Sequence, residues 1–211
     1  MRIGVIGSGN VGGTLGTRWA KNGHTVVFSS RAPGSREMKQ LVDTAGAMAR
    51  AASVPETAAT SEVVLLATPW PASRDALAAA GDLSGKILID ATNPLLPSLD
   101  GLTVGTSSSG AEQVAGWAPR ARVVKAFNTV GYNVMANPRF DGRGALLFYC
   151  GDDAPAKEAV RDLAAELGFD PADAGPLVRA RLLEPFALLW ISLAFSPGHG
   201  RDFAFQMLKR N

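Results

Sequence analysis

A chain of 211 residues has the length of one domain, or of one domain with a small appendage, and with 46% hydrophobic and 19% charged residues it can bury a substantial core. A formal net charge of +2 over dispersed Lys and Arg leaves no footprint for nucleic acid, and the longest apolar stretch, Phe186 to Phe195, is too short to span a bilayer. The single cysteine, Cys150, excludes an internal disulfide and points to a reducing cytoplasm, and two histidines without ligand spacing offer no metal centre.

The chain opens on the apolar run Ile3 to Ile6, a predicted strand with no secretory leader before it, and passes directly into Gly7-Ser8-Gly9-Asn10-Val11-Gly12-Gly13. Between a strand and a helix, this spacing serves a pyrophosphate. Gly7 permits the sharp turn, Gly9 lets the backbone approach the ligand, and Gly12 lets the helix pack closely on the strand. The following helix, Asn10 to Lys21, turns its unpaired N–H groups and positive dipole end towards the turn, and Gly23 closes it as a C-cap.

The second strand, Thr25 to Phe28, ends at Ser29-Ser30-Arg31. A site for the unphosphorylated dinucleotide carries Asp or Glu here to hold the ribose 2′-hydroxyl. A serine hydroxyl beside a forked guanidinium suits a 2′-phosphate instead, with Arg36 as a second cation. The opening therefore predicts an NADP(H) site. The alternative leaves Arg31 in solvent and makes Ser30 the N-cap of the next helix.

That helix is expected over Ser35 to Ala45, followed by a short segment from Met48 to Ala51. The next strand, Glu62 to Ala67, is apolar on both faces and ends at Thr68-Pro69-Trp70-Pro71. A helix over Ala72 to Ala80 leads to a strand over Lys86 to Asp90, which ends at Ala91-Thr92-Asn93-Pro94. Leu95 to Ser108, rich in Ser, Gly and Pro, is read as a mobile loop. Helix follows over Gly110 to Trp117, strand over Arg122 to Ala126 and again over Ala145 to Cys150, and helix over Ala154 to Leu167.

The alternation predicts an α/β fold: a Rossmann-type doubly wound, mostly parallel sheet with right-handed crossovers, over residues 1–175. From Leu177 on no strand signal remains. The apolar cluster Leu182, Leu183, Phe186, Leu188, Leu189, Trp190, Leu193 and Phe195 predicts a small C-terminal helical appendage, residues 176–211, that covers the cleft, pairs two copies as a homodimer, or packs as core.

Ligands of such sheets bind beyond the carboxyl ends of the strands. This rule gathers Gly7, Ser8, Gly9, Asn10, Val11, Ser30, Arg31, Thr68, Pro69, Trp70, Asn93, Ala126 and Asn128 on the cofactor side, and Asn128, Thr129 and Val130 on the substrate side. Trp70 and Phe127 are expected to wall the ribose and nicotinamide, and Thr68, Asn93, Asn128 and Thr129 to hydrogen-bond them. Each polar residue alone serves equally as a turn or cap. Cys150 reads as structural, His24 lies at the opposite edge of the sheet, and His199 sits in a flexible stretch. Lys125 and Tyr132 are the remaining proton carriers; Lys125 lies inside a strand end, where its ordinary role is an ion pair or a carbonyl contact.

Several segments in order along the chain resemble the NADPH-dependent deazaflavin reductases, the coenzyme F420-dependent NADP oxidoreductases, and the similar NADPH-binding domain of the STEAP metalloreductases. They are Gly7-Ser8-Gly9-Asn10-Val11, Ser29-Ser30-Arg31, Thr68-Pro69-Trp70, Val124-Lys125-Ala126-Phe127-Asn128-Thr129, Cys150-Gly151-Asp152-Asp153, Asp173-Ala174-Gly175-Pro176-Leu177 and Arg181-Leu182-Leu183-Glu184. The turn Asn128-Thr129-Val130-Gly131 stands where the deazaflavin reductases carry a His-Thr-Ile-Pro-like turn, and is closer to the metalloreductase module.

The resemblance implies NADP contacts from Ser8, Gly9, Asn10, Val11, Ser30, Arg31 and Trp70, with a small-molecule electron acceptor near Asn128 to Val130 and the C-terminal cluster. It implies hydride transfer between NADPH and a deazaflavin- or flavin-like co-substrate, catalysed by positioning and without a dedicated acid or base. Two other readings stay open. One is a reductase of a small carbonyl or imine, with Lys125 or Tyr132 as proton donor. The other is an NADPH-binding module without turnover.

Overall fold

A computed structural model describes residues 1–208 and 210. The first half alternates strand and helix: β1 (Arg2–Ile6), α1 (Asn10–Lys21), β2 (Thr25–Ser29), α2 (Arg36–Ala45), β3 (Ala49–Ala52), α3 (Val54–Thr60), β4 (Val63–Leu66), α4 (Trp70–Ala80) and β5 (Ile87–Asp90). Then come α5 (Gly110–Trp117), β6 (Arg122–Ala126), the short α6 (Tyr132–Ala136) and a hairpin of β7 (Arg139–Phe140) and β8 (Arg143–Gly144). The chain continues through β9 (Leu146–Gly151), α7 (Ala154–Ala165), β10 (Asp170–Asp173), a 3-10 turn over Leu177–Arg179, and α8 (Ala180–Phe195).

The main sheet runs β10-β9-β6-β5-β4-β1-β2-β3. β4, Val-Val-Leu-Leu, and β5, Ile-Leu-Ile-Asp, are buried at every position, as central parallel strands covered by helices on both faces must be. The strand order reverses at β1, between β4 and β2. That is the switch point at which doubly wound sheets open a crevice.

The sheet is mostly parallel, as expected, with one antiparallel junction among the described residues. β9 runs antiparallel to β6, with Lys125 opposite Cys150 and Ala126 opposite Tyr149. Between them the chain makes α6 and the β7–β8 hairpin in place of a full crossover helix, so it returns along the same edge in the opposite direction. β10 then pairs parallel with β9. Its sequence, Asp-Pro-Ala-Asp, has the proline and charge of an edge strand and no apolar run to announce it.

The C-terminal segment is only partly helical. One long helix, α8, carries Pro185 within it and ends at Phe195. Beyond it the chain turns at 197–199 and, among the described residues, forms no further helix or strand: the Phe205 carbonyl accepts the Leu146 N–H at 3.0 Å, and Phe203 stacks on Trp190 with ring centres 5.2 Å apart. Leu177, Ala180 and Leu183 share a core with Val64, Leu66, Leu88 and Cys150. The apolar packing is thus continuous across residue 175.

α1 is held at its far end by distant backbone. Arg18 donates to the carbonyls of Met135 and Leu167, each at 2.7 Å, and the Trp19 indole donates to that of Leu163 at 3.1 Å. Loop 95–108 is irregular apart from one bridge, Leu95 to Leu102.

Candidate active site

At the end of β1, Gly7 takes a φ of +96°, and a Cβ on Gly12 would collide with the Gly7 carbonyl oxygen. The turn therefore tolerates little else at either position. Above it, α1 begins without a capping side chain and without an acidic residue in its first turn. By contrast α2, α3, α5 and α7 close their own N-termini with Ser35, Ser53, Ser109 and Asp153. The first N–H groups of α1, like those of α4, α6 and α8, lack a side-chain cap, and in α1 they face the glycine turn.

Two clefts flank this turn and share Ser8 and Ser30. One, of about 660 Å³, is lined by Gly7, Ser8, Ser30, Arg31, Thr68 and Pro69 among others. The second, of about 520 Å³, runs along Gly9, Asn10, Thr14 and Ser35. The Ser8 hydroxyl donates to the Ser29 carbonyl at 3.3 Å, which joins the glycine turn to the end of β2. Ser30 accepts from the Ala32 N–H at 3.0 Å, and the N-cap of α2 is Ser35, not Ser30. Arg31 is exposed and forms no ion pair among the described residues; Arg36 is exposed at the first residue of α2, outside the lining of both clefts.

A second polar group sits at the ends of β5 and β6. Asn93 donates to the Asn128 carbonyl at 2.9 Å, while the Asn128 amide donates to Asn93 Oδ1 at 3.1 Å and to the Leu183 carbonyl at 3.2 Å. Ala126, Asn128, Thr129 and Val130 are all buried. They lie with Asn93 apart from the clefts that the glycine turn commands.

One of the two expected aromatic walls lies in the core. Phe127 is fully buried between Trp19 and Phe169, edge-to-face at 5.7 and 6.0 Å, so it belongs to the core and does not face a ligand. Its left-handed φ of +64° bends the chain sharply at the strand end, which alternation along β6 does not anticipate. Trp70 begins α4 and stacks on Trp117 at 5.3 Å. His24 pairs with Glu166 at 2.9 Å, and His199 is exposed in the tail.

Lys125 is not placed to give a proton to a substrate. Its ammonium is fully buried, bonded to Asp90 at 3.0 Å, Glu184 at 2.9 Å and the Thr92 carbonyl at 2.6 Å. Burial alone would depress its pKa, but the facing carboxylates of Asp90 and Glu184 outweigh that and hold it above the ordinary value. Glu184 also accepts the N–H groups of Gly110 and Ala111 at 2.8 and 3.0 Å, and so caps α5 from α8. Beside it Arg181 grips Glu112, whose carboxyl is held below its usual range chiefly by this bond. An ion pair and a carbonyl contact are the ordinary role expected of a lysine inside a strand end, and Lys125 makes both; its partners Asp90 and Glu184 were not foreseen. The signal was a charge inside strands buried on both faces, Asp90 after Ile87 to Ile89 and Lys125 between Val124 and Ala126.

A family model described as NADP oxidoreductase, coenzyme F420-dependent, matches residues 2–94. The F420-dependent NADP reductase of Methanothermobacter thermautotrophicus is 30% identical over 207 residues, covering 92% of this chain and 89% of that protein. Rat metalloreductase STEAP3 is 32% identical over 188 residues, 89% of this chain; the match takes in only 36% of that longer protein. A solved structure of a candidate F420-dependent NADP reductase from Arthrobacter sp. FB24 superposes with a TM-score of 0.89 at 33% identity, over 98% of this chain and 99% of that one.

Proposed function

The chain belongs to the coenzyme F420-dependent NADP oxidoreductase family and is an NADP-dependent oxidoreductase, and from that premise we propose that it passes hydride between NADPH and a deazaflavin- or flavin-like acceptor. The observation that carries the cofactor half is the uncapped first turn of α1 beside Ser30 and Arg31. In this reading the diphosphate lies on Gly7 to Val11, with Gly12 keeping the helix close. Ser30 and Arg31 take the 2′-phosphate, and Thr68 and Pro69 border the adenosine cleft. The nicotinamide end reaches Asn93 and Asn128 to Val130, where the acceptor ring meets it.

Bound NADPH supplies the hydride from its nicotinamide ring. The chain's task is to hold two rings face to face and exclude water, and for that no proton donor is needed. Burial of Lys125 in its ion network speaks against the carbonyl or imine reductase reading that would use it. The test is NADPH oxidation, followed by loss of nicotinamide absorbance, against a deazaflavin, flavin mononucleotide, ferric chelates, quinones and simple carbonyls and imines. Turnover confined to carbonyls or imines would overturn the acceptor assignment; tight NADPH binding without turnover on any of them would mark a binding module.

Residues 176–211 serve, in the same reading, as the acceptor and dimerisation segment. α8 leaves Leu182 and Phe195 each 60% exposed and Leu189 50% exposed, an apolar strip that a second copy of the chain would cover as a homodimer. Sedimentation of Leu182→Asp against the unaltered chain tests it. The variant is expected to run as a monomer with its nucleotide affinity retained.

A further inference from the structure

α4 divides its residues by face. Ser73, Leu77 and Ala80, about one turn apart, are buried. Ala72, Asp75, Ala76 and Ala79 line the cleft of about 660 Å³ that Ser30 and Arg31 also border. Three methyl groups, together with Val54 of α3 and Pro69, give this part of the cleft an apolar lining without long side chains, against which a flat ring can lie.

Asp75 interrupts that lining. It and Arg31 are the two charged residues around the cleft, yet they do not pair with each other, and among the described residues neither forms an ion pair. Within the helix Asp75 has no task either. Asp is a poor interior helix residue, it sits too far along α4 to cap its N-terminus, and its neighbours one turn away, Pro71, Ala72, Ala78 and Ala79, offer no cation. A carboxylate can only accept hydrogen bonds. Set among methyl groups at the border of a cleft, it is matched by a donor on the rim of a flat ring.

We propose that Asp75 selects the base of the dinucleotide: the purine lies against the alanine face of α4, and the carboxylate accepts an N–H of its exocyclic 6-amino group. This role rests on the cofactor half of the hydride-transfer reading and adds a base specificity to it, for a 6-aminopurine over a 6-oxopurine. An oxo group in the same place would set two acceptors against each other.

Dissociation constants, which need no turnover, test the role with NADP and its deamino analogue, in which a carbonyl replaces the 6-amino group and the phosphates are unchanged. The unaltered chain is expected to bind the deamino form about 10-fold more weakly, since a site that pairs a donor rejects a ligand without it. Asp75→Ala should weaken NADP towards the deamino form and leave little preference between them. Asp75→Asn, whose amide can turn either its oxygen or its NH₂ to the ring, should regain the deamino form and bind the two about equally. Asp75 is exposed, so both variants are expected to keep the Tm of the unaltered chain. A general effect of its charge on the phosphates would move both ligands together; base selection alone changes their ratio, and it leaves the preference for NADP over NAD as it was. Equal binding of the two ligands by the unaltered chain, or a preference that survives in Asp75→Ala, refutes the base assignment while the hydride-transfer reading stands. Failure of NADP to bind at all overturns both.

Discussion

Ser30 and Arg31 stand where a carboxylate would select the unphosphorylated dinucleotide, and their chemistry is a matter of two side chains. Exchanging Ser30 for Asp and Arg31 for Ala should weaken NADPH binding at least about 10-fold while leaving NADH as good or better, as the charge-assisted bonds to the 2′-phosphate are lost. Titration of nucleotide fluorescence measures both; unchanged affinities would sink the assignment. Cys150 offers a prediction of inertness. Burial pushes its thiol up to about 12, so alkylation at pH 8 should be negligible in the folded chain and rapid once denaturant is added. The placement of these residues was legible in sequence because local chain chemistry fixes it: a glycine turn, the end of a strand, a lone thiol in an apolar run. Phe127 was not. Position after a strand says that a residue is near the ligand edge, but the left-handed turn at Phe127 decides which way its ring goes.

At the scale of elements, the buried Asp90–Lys125–Glu184 network joins β5, β6, α5 and α8. Lys125→Met would leave two carboxylates buried beside no cation, and such one-sided loss costs about 3–5 kcal/mol. Urea unfolding should show it as a lower midpoint with little change in slope. The Glu112–Arg181 pair adds a pH dependence of known sign. Because the folded chain holds the Glu112 carboxyl below its ordinary 4.5, the pair's contribution is fully present above that value and is lost as pH falls through the lowered one. Glu112→Gln should therefore be less stable than the unaltered chain at neutral pH, and the two should converge in acid. Helix and strand positions such as α1, α5 and β6 were readable from periodicity and punctuation. Their fastening to α8 was not, because a buried charge advertises that it needs a partner without saying where along the chain that partner lies.

For the whole molecule, strand alternation conveyed the layers and the parallel half of the sheet. It could not convey the reversal at β9, since direction depends on how the short α6 and the hairpin return the chain. The same interlocking bears on truncation. A chain ending at residue 175 would strip the α5 N-terminus of its carboxylate, leave Lys125 with Asp90 alone and expose a shared core; it should be insoluble or lose its cooperative thermal transition, as calorimetry would show. The tether on α1 has a consequence in time as well. Arg18 and Trp19 take their carbonyl partners from 117 to 149 positions further along the chain. At translation rates of about 5–20 residues per second, those partners emerge from the ribosome roughly 6 to 30 s after the helix they anchor. The nascent chain thus displays its nucleotide motif well before it owns a grip, and NADP(H) can steady only chains made past residue 167.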